Sequence, residues 1–189
     1  HLFAVEAQTL SERRSARRAS IDDRTAECAS IVNGDRQPWI VWCDLNAEGD
    51  ALRQAIPDAV EIRGADDADE KERRLHDFAH GRIRVLVTKP SIAGWGLNWQ
   101  HANHMTYFPS HSYEQWYQAV RRMWRFGQTR PVQVDVIATE GGRNVLANLQ
   151  RKATQADQMF AALVQHMNDA RRVDPHNYDN KIEVPAWLA

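Results

Sequence analysis

The feature that most constrains the fold is the regular alternation of short apolar runs with stretches of helical pattern. The apolar runs, which have the composition of buried strands, are Trp39–Cys43, Ala59–Ile62, Ile83–Thr88, His104–Phe108 and Val132–Ile137. Strands that alternate with helices are typical of βαβ units, in which crossover helices join parallel strands. We therefore predict an α/β fold in three layers, with a mostly parallel central sheet covered by helices on both faces.

Helical segments flank the strand region on both sides. Residues 7–33 are rich in Ala, Arg, Glu and Ser and carry a thin apolar stripe, which predicts a long polar helix or a helix pair within a lead-in of residues 1–37. A long amphipathic helix is predicted over residues 143–171, at the end of a core domain of residues 38–172. We expect residues 173–189, which hold two prolines and many polar side chains, to form a loose tail.

Shorter helices are expected between the strands. Asp44 or Asn46 can cap the first of them, and Ser112 can cap the last. Gly81 is expected to end the middle one, because glycine adopts the left-handed conformation that follows many helices. The predicted helices span residues 45–56, 66–78 and 112–124.

Composition excludes several classes of protein. The net charge of −1 argues against a protein that coats nucleic acid indiscriminately, although a local basic site remains compatible with it. No apolar run approaches the roughly 20 residues of a membrane span, so we expect no membrane partner. Cys28 and Cys43 have neither metal spacing nor a disulfide framework, and the histidines match no zinc pattern. We therefore expect no metal site, and a reducing, cytoplasmic location.

The loop after the clearest strand has the residues of a phosphate-binding loop. The stretch Thr88–Gln100 reads TKPSIAGWGLNWQ. Gly94 and Gly96 allow backbone N–H groups to approach a phosphate closely, and Lys89 and Ser91 add side-chain donors. Such a loop lies where ligands of open parallel sheets bind, beyond the carboxyl ends of the strands. Because a lone GxG is also common in plain turns, this stretch alone favours a structural role.

A second stretch, Gln118–Gln128, reads QAVRRMWRFGQ and concentrates positive charge. On a continuous helix, four of its side chains fall within one arc of roughly 100°. They are Gln118, Arg121, Arg122 and Arg125. Like charges at this spacing destabilise a helix. Between Glu114 and Asp135 there is no acidic residue to neutralise them, so we favour an anion-binding site over a solvated face.

The two stretches together resemble a motif pair from the second RecA-like lobe of superfamily 2 helicases. GWGLN resembles motif V, and QAVRRMWRFGQTRPV resembles motif VI in its Swi/Snf-type form, Q-A-x-x-R-x-x-R-x-G-Q. The residues that match this form are Gln118, Ala119, Arg122, Arg125, Gly127 and Gln128. Two longer segments are most similar to helicases carried by phages and prophages, namely VTKPSIAGWGLNWQ and SYEQWYQAVRRMWRFGQ. The resemblance covers residues 38–165 and implies a RecA-like domain.

The resemblance also implies a cleft, shared with an N-terminal RecA-like lobe, that holds ATP and Mg²⁺ mainly through that other lobe. Arg122 and Arg125 would be catalytic arginine fingers that stabilise charge on the transferring phosphoryl group. The implied nucleotide-binding residues are Gln118, Gly94, Gly96 and Asn98.

Nucleic-acid contacts follow from the same resemblance, with duplex DNA as the expected partner. Lys89 and Ser91 lie where the family contacts the phosphate backbone, Trp95 is placed to stack on a base, and Asn46 is a further candidate. This chain has Lys89-Pro90-Ser91 where the family usually has Ser-Thr-Arg. It also has Arg121 where an aspartate often precedes the first motif VI arginine.

The sequence thus predicts the second motor lobe of an ATP-dependent DNA helicase or translocase. It contains neither a GxxxxGK[ST] phosphate loop nor a DExH-type motif, so we expect these 189 residues alone not to hydrolyse ATP. One alternative is a catalytically inactive RecA-like module that binds nucleic acid or regulates another protein. Another is a nucleotide-binding adaptor, which salt-dependent DNA binding would distinguish from the other two.

Overall fold

The computed structural model describes residues 10–93, 98–110, 112–139 and 143–170. The chain divides into two compact units, His1–Arg151 and Lys152–Ala189. Its helices and strands are α1 (Leu10–Ala19), α2 (Ile21–Asn33), β1 (Trp39–Trp42), α3 (Asn46–Ala55), β2 (Ala59–Glu61), α4 (Ala68–Ala79), β3 (Val85–Thr88), β4 (His104–Tyr107), α5 (Tyr113–Arg121), β5 (Gln133–Val136) and α6 (Arg143–Ala170). The predicted tail, residues 173–189, lies outside the described residues.

A parallel sheet of five strands forms the centre of the first unit. Its strand order is β2-β3-β1-β4-β5, and each neighbouring pair is parallel. β1 is central, with Trp42 opposite Thr88 of β3 on one side and opposite Tyr107 of β4 on the other. The carboxyl ends of these three strands therefore meet at one edge. The predicted parallel sheet is confirmed.

Helices cover both faces of the sheet, which makes three layers. On one face, Ile40, Leu86 and Met105 pack in a buried cluster with Phe78 of α4 and Ala119 of α5. The opposite face packs against α2 and α3 through a second cluster that includes Cys28, Val32, Val41, Leu52 and Val87. Because successive side chains of a strand point to opposite faces, the nearly continuous apolar runs supply both clusters at once. The predicted three-layer α/β architecture is confirmed.

The start of α3 differs from the prediction that Asp44 or Asn46 caps it. Asn46 is the first helical residue, and the backbone N–H groups of Asp44 and Leu45 donate to the Glu48 carboxylate at 2.9 Å each. The Asp44 carboxylate instead accepts a hydrogen bond from Arg17 Nη1 at 2.7 Å. The carboxylate that was expected to cap α3 is thus paired with an arginine of α1.

The end of α5 also differs, since the helix ends at Arg121 and not at Trp124. The carbonyl of Arg122 accepts from Trp99 N–H at 3.1 Å, and the carbonyl of Met123 accepts from Gln128 Nε2 at 3.4 Å. Gly127 then turns the chain with a φ of 95°. Because these carbonyls bond outside the helix, the chain leaves α5 through a tight turn, and the predicted single helical face of arginines is wrong.

The helix ends predicted at Ser112 and Gly81 are confirmed. Ser112 Oγ accepts from the N–H of Gln115 at 3.3 Å at the start of α5, as expected of a cap. Gly81 follows α4 with a φ of 72°, the left-handed conformation that glycine adopts without strain. Among the described residues, no helix is both long and apolar enough to cross a membrane.

Candidate functional site

The segment after α5, residues 122–128, is here called the arginine turn, and its place in the fold is set by the segment that enters β4. The carbonyl of Arg122 accepts from Trp99 N–H, and Arg130, two residues beyond the turn, donates from its guanidinium to the carbonyl of His101. The first residue of β5 bonds to the carbonyl of Asn103 at 2.8 Å. The arginine turn therefore lies where β4 begins. Ligands of open parallel sheets usually bind at the opposite edge, beyond the carboxyl ends of the strands.

Two glutamine side chains fix the conformation of the arginine turn. Gln128 Nε2 lies 3.2 Å from the carbonyls of Gln100 and Ala102, as well as 3.4 Å from that of Met123. Gln100 Nε2 in turn donates to the carbonyl of Phe126. At Gly127 a Cβ atom would meet the Gln100 amide nitrogen at 3.3 Å, so the positive φ and the close contact both favour glycine. We call Gln100 and Gln128 the amide clasp.

Arg122 is the most unusual charged residue of the turn, because it is only 5% exposed. Its Nη2 lies 3.4 Å from Gln118 Oε1, one helical turn earlier in α5. Burial lowers the pKa of the Arg122 guanidinium below its ordinary value, and the nearby positive charge of Arg125 lowers it further. Folding thus places a cation where its charged form is disfavoured.

Three side chains of the same region form an exposed stack. The guanidinium carbon of Arg121 lies 5.2 Å from the ring centroid of Tyr117 and 4.6 Å from that of Trp124. Arg121 Nε also donates to Tyr117 Oη at 3.1 Å. Arg121 therefore does not share the burial of Arg122, although the two are adjacent in the sequence. Arg125, which directly follows Trp124 in the sequence, is exposed.

The predicted nucleic-acid residues lie at the opposite edge of the sheet. Lys89 and Ser91 follow β3, and Asn46 follows β1, so both loops leave adjacent strands at their carboxyl ends. Ser91 and Asn46 are exposed, and Lys89 is half-buried, with its carbonyl accepting from Ile92 N–H at 3.0 Å. These three residues therefore follow neighbouring strands at the same edge of the sheet, whereas the arginine turn contacts the segment before β4.

The remaining predicted residues divide between described and undescribed parts of the chain. Asn98 is exposed near the arginine turn and donates to Gln100 Oε1 at 3.2 Å. Gly94, Trp95 and Gly96 lie outside the described residues. The sequence analysis assigned no role to Gln100 or Gln128. The match of Gln128 to the motif was the available signal that its side chain has a structural or functional role.

A cleft between α3, β2 and α4, of about 640 Å³, is lined by charged side chains that neutralise one another. Arg63 Nη2 lies 2.6 Å from Glu61 Oε2, and Arg74 Nε lies 2.7 Å from Glu70 Oε1. These ion pairs neutralise the side-chain charges that would otherwise attract a charged ligand. The described residues contain no group of three or more His, Cys, Asp or Glu side chains that could hold a metal ion.

No family model matches the chain. Over 99 residues it is 33% identical to the bifunctional helicase and thymine dioxygenase JBP2 of Leishmania braziliensis, and 32% identical to that of Leishmania tarentolae. Each alignment covers 48% of this chain and 9% of the relative, so the chain spans a small fraction of the curated relatives it matches.

Solved structures give the fold more clearly. The C-terminal part of the Fun30 ATPase domain matches with a TM-score of 0.58 at 17% identity, over 69% of this chain and 44% of that one. The C-terminal domain of the DEAD-box protein Dbp5 matches with a TM-score of 0.57 at 17% identity, over 71% and 78% of the two chains. Saccharomyces cerevisiae Dbp5 bound to RNA and ADP BeF3 also matches, with a TM-score of 0.57 at 17% identity over 70% and 36%. The fold is RecA-like.

Proposed function

We propose that this chain is the second motor lobe of an ATP-dependent helicase or translocase, and that its arginine turn completes an ATPase site held by an N-terminal RecA-like lobe. The observation that carries the proposal is the buried Arg122, bonded to Gln118 and adjacent to Arg125 in a turn fixed by the amide clasp. A relative named as a helicase and a structural neighbour bound to RNA and ADP BeF3 support it.

The role proposed for the arginines is charge stabilisation. Phosphoryl transfer places negative charge on oxygens that guanidinium groups bind in bidentate geometry. Burial and the charge of Arg125 lower the pKa of Arg122, so a nearby phosphate would stabilise its charged form. Gln118 holds the Arg122 guanidinium and would fix its direction towards the phosphate. Gly94, Gly96 and Asn98 are proposed as further nucleotide contacts.

Nucleic acid would bind at the other edge of the sheet, through Lys89, Ser91, Asn46 and Trp95. Duplex DNA is the proposed track, and contacts to its backbone would carry no sequence information. ATP and Mg²⁺ would be held mainly by the N-terminal lobe, since the arginine turn supplies groups that suit phosphate oxygens rather than a cation. The Swi/Snf-type and phage-like assignments are proposed from the sequence resemblance, and a cytoplasmic location from the two cysteines that form no disulfide framework.

The test is ATP turnover by the longer protein that contains this chain, with and without duplex DNA. We expect DNA to stimulate the wild type and Arg125→Ala to lower kcat by about 10³-fold or more while nucleotide still binds. Arg73→Ala is the matched control, because Arg73 is exposed and paired with Glu70 on α4. Unchanged turnover in Arg125→Ala would favour the inactive binding or regulatory module instead.

A further inference from the structure

The second half of α6 exposes a group of large apolar side chains. They are Met159, Phe160, Leu163 and Val164, and each is between 51% and 63% exposed. This part of α6 belongs to the second compact unit, which begins at Lys152. A single exposed apolar residue is ordinary, but a contiguous group on one helix is typical of a surface that binds another molecule.

The spacing of the apolar residues is that of a coiled coil. Met159 and Val164 take the g and e positions of a heptad repeat, which flank its central line. Four residues occupy the a and d positions of that line, at alternating steps of three and four. They are Ala153, Ala156, Phe160 and Leu163. We call these six residues the α6 seam.

The opposite face of the same segment has no large apolar residue. Its positions hold Thr154, Gln155, Gln158, Ala161, Ala162 and Gln165. The charged residues between 152 and 165 are one lysine, Lys152, and one aspartate, Asp157. A helix that binds an anionic membrane or a nucleic acid usually has a basic polar face, which this segment lacks. A protein surface is therefore the better partner for the α6 seam.

The two charges indicate which protein surface fits. In a parallel pair of identical helices, each g position faces the next e position of the other helix. Lys152 is a g residue and Asp157 is the next e residue, so a second copy would place opposite charges side by side. An antiparallel pair centred on Phe160 and Leu163 would instead place Asp157 beside the apolar Val164. The charges therefore favour a second copy in parallel orientation.

We propose that the α6 seam binds the α6 seam of a second copy of this chain, as a short parallel coiled coil. The two surfaces are identical and complementary to themselves, as a two-fold dimer interface requires. Phe160 and Leu163 would form the apolar centre, and the small side chains of Ala153 and Ala156 would let the helices approach closely. Because residues 152–165 supply only two heptads, the dimer should dissociate on dilution. This inference does not rest on the proposed function.

The first experiment is sedimentation equilibrium of the 189-residue chain. Over a concentration range of about 100-fold, we expect the average mass to rise from that of a monomer towards that of a dimer. Phe160→Asp should weaken the association about tenfold or more, because it places like charges in the apolar centre. Gln158→Asp is the matched control, since Gln158 is exposed on the opposite face. A chain that stays monomeric, or equal weakening by both variants, would overturn the proposal.

The second experiment tests the pairing of charges. Lys152→Glu and Asp157→Lys should each weaken the association about threefold or more, because each places like charges side by side. The double variant exchanges the two charges and should associate as tightly as the wild type. A double variant that associates no better than either single variant would contradict the parallel register.

A cysteine in the seam tests the orientation directly. In a parallel pair the two copies of residue 156 meet, so Ala156→Cys should form a covalent dimer in a glutathione redox buffer. Gln158→Cys, on the opposite face, should form much less. The native Cys28 and Cys43 are buried, so they do not compete. Equal yields of covalent dimer from the two variants would count against a specific seam.

Other occupants of the seam would give other results. Binding of duplex DNA, or of vesicles that contain phosphatidylserine, by a monomeric chain and its loss in Phe160→Asp would make the seam a nucleic-acid or membrane site. If the chain is monomeric and Phe160→Asp lowers the free energy of unfolding more than Gln158→Asp, a segment of the same chain covers the seam. Each result overturns the dimer. The proposed motor function would remain, because it depends on Arg122 and Arg125.

Discussion

Two arginines of this protein are buried to the same extent but differ in the contacts that the structure describes for them. Arg24 of α2 is 6% exposed, and Arg122 of the arginine turn is 5% exposed. Arg24 Nη1 lies 2.6 Å from Glu48 Oε1, and its guanidinium carbon lies 5.2 Å from the ring centroid of Phe108. Arg122 bonds to the neutral Gln118 amide and has its pKa lowered by burial and by Arg125.

The difference separates a stabilising arginine from one available for function. A buried charge is tolerated when an opposite charge and hydrogen bonds satisfy it, as Glu48 does for Arg24. Arg122 instead lies beside the like charge of Arg125 and has a lowered pKa, and residues with perturbed pKa values cluster at functional sites. The paired arginine should thus contribute to the stability of the chain and the arginine turn to its activity.

The largest effect is expected from Arg24→Met. The substitution leaves the fully buried Glu48 without its closest cation, although Arg17 Nη2 remains 3.7 Å from the same carboxylate oxygen. We expect a loss of about 3 kcal/mol in the free energy of unfolding, near the lower end for a broken buried pair. Urea unfolding of the chain measures it, and a loss below about 1 kcal/mol would remove the stabilising half of the comparison.

A smaller effect is expected when the amide clasp is opened by Gln128→Ala. Three carbonyls lose a donor, so we expect the free energy of unfolding to fall by about 2 kcal/mol. Because the turn can then shift, we also expect kcat of the longer protein to fall by about 10- to 100-fold. Gln133→Ala is the control, since Gln133 is exposed and its side chain bonds to Asp135 on the same strand. Equal effects of both variants would exclude a positioning role.

Arg122→Met should destabilise the chain much less than Arg24→Met. Burial and Arg125 disfavour the charged form of Arg122, so replacing it with an apolar side chain should change the free energy of unfolding by less than about 1 kcal/mol. The same urea titration compares the two variants. If Arg122→Met destabilises the chain as much as Arg24→Met does, Arg122 is a structural arginine and the contrast between the two regions fails.

The smallest effect concerns His101, next to the arginine turn. Burial lowers the pKa of His101, and the positive charges of Arg130 and His80 lower it further. The unfolded chain therefore takes up this proton more readily, so stability is retained above about pH 6.5 and falls as the pH drops through the lowered pKa. His101→Gln should reduce the loss of unfolding free energy between pH 7.5 and pH 5. An identical loss in both proteins would contradict this.

The sheet could be predicted closely, because its information is local. Apolar runs predicted the five strands to within two residues at each end, and the ends of α4 and the start of α5 followed from Gly81 and Ser112. The end of α5 could not be predicted, since Gln128 and Trp99 end the helix through contacts that depend on the tertiary fold. The start of α3 depends likewise on Arg17, 27 residues from its partner Asp44.

The candidate site was predicted in its residues but not in its arrangement. Gln118 and Arg122 are one helical turn apart, so their contact follows from the sequence. The separation of Lys89 from the arginine turn does not, because it depends on α5 returning the chain from the carboxyl ends of the strands to the start of β5. The amide clasp joins segments 26 to 28 residues apart, so no local sequence pattern predicts it.

The most direct test of the account is single-turnover ATP hydrolysis by the longer protein with duplex DNA, for Arg122→Met beside Arg24→Met. We expect Arg122→Met to slow hydrolysis by about 10³-fold although its stability stays close to that of the wild type, and Arg24→Met to hydrolyse ATP at close to the wild-type rate wherever it remains folded. Hydrolysis by Arg122→Met at the wild-type rate would show that the buried arginine does not serve the reaction, and would contradict the central claim.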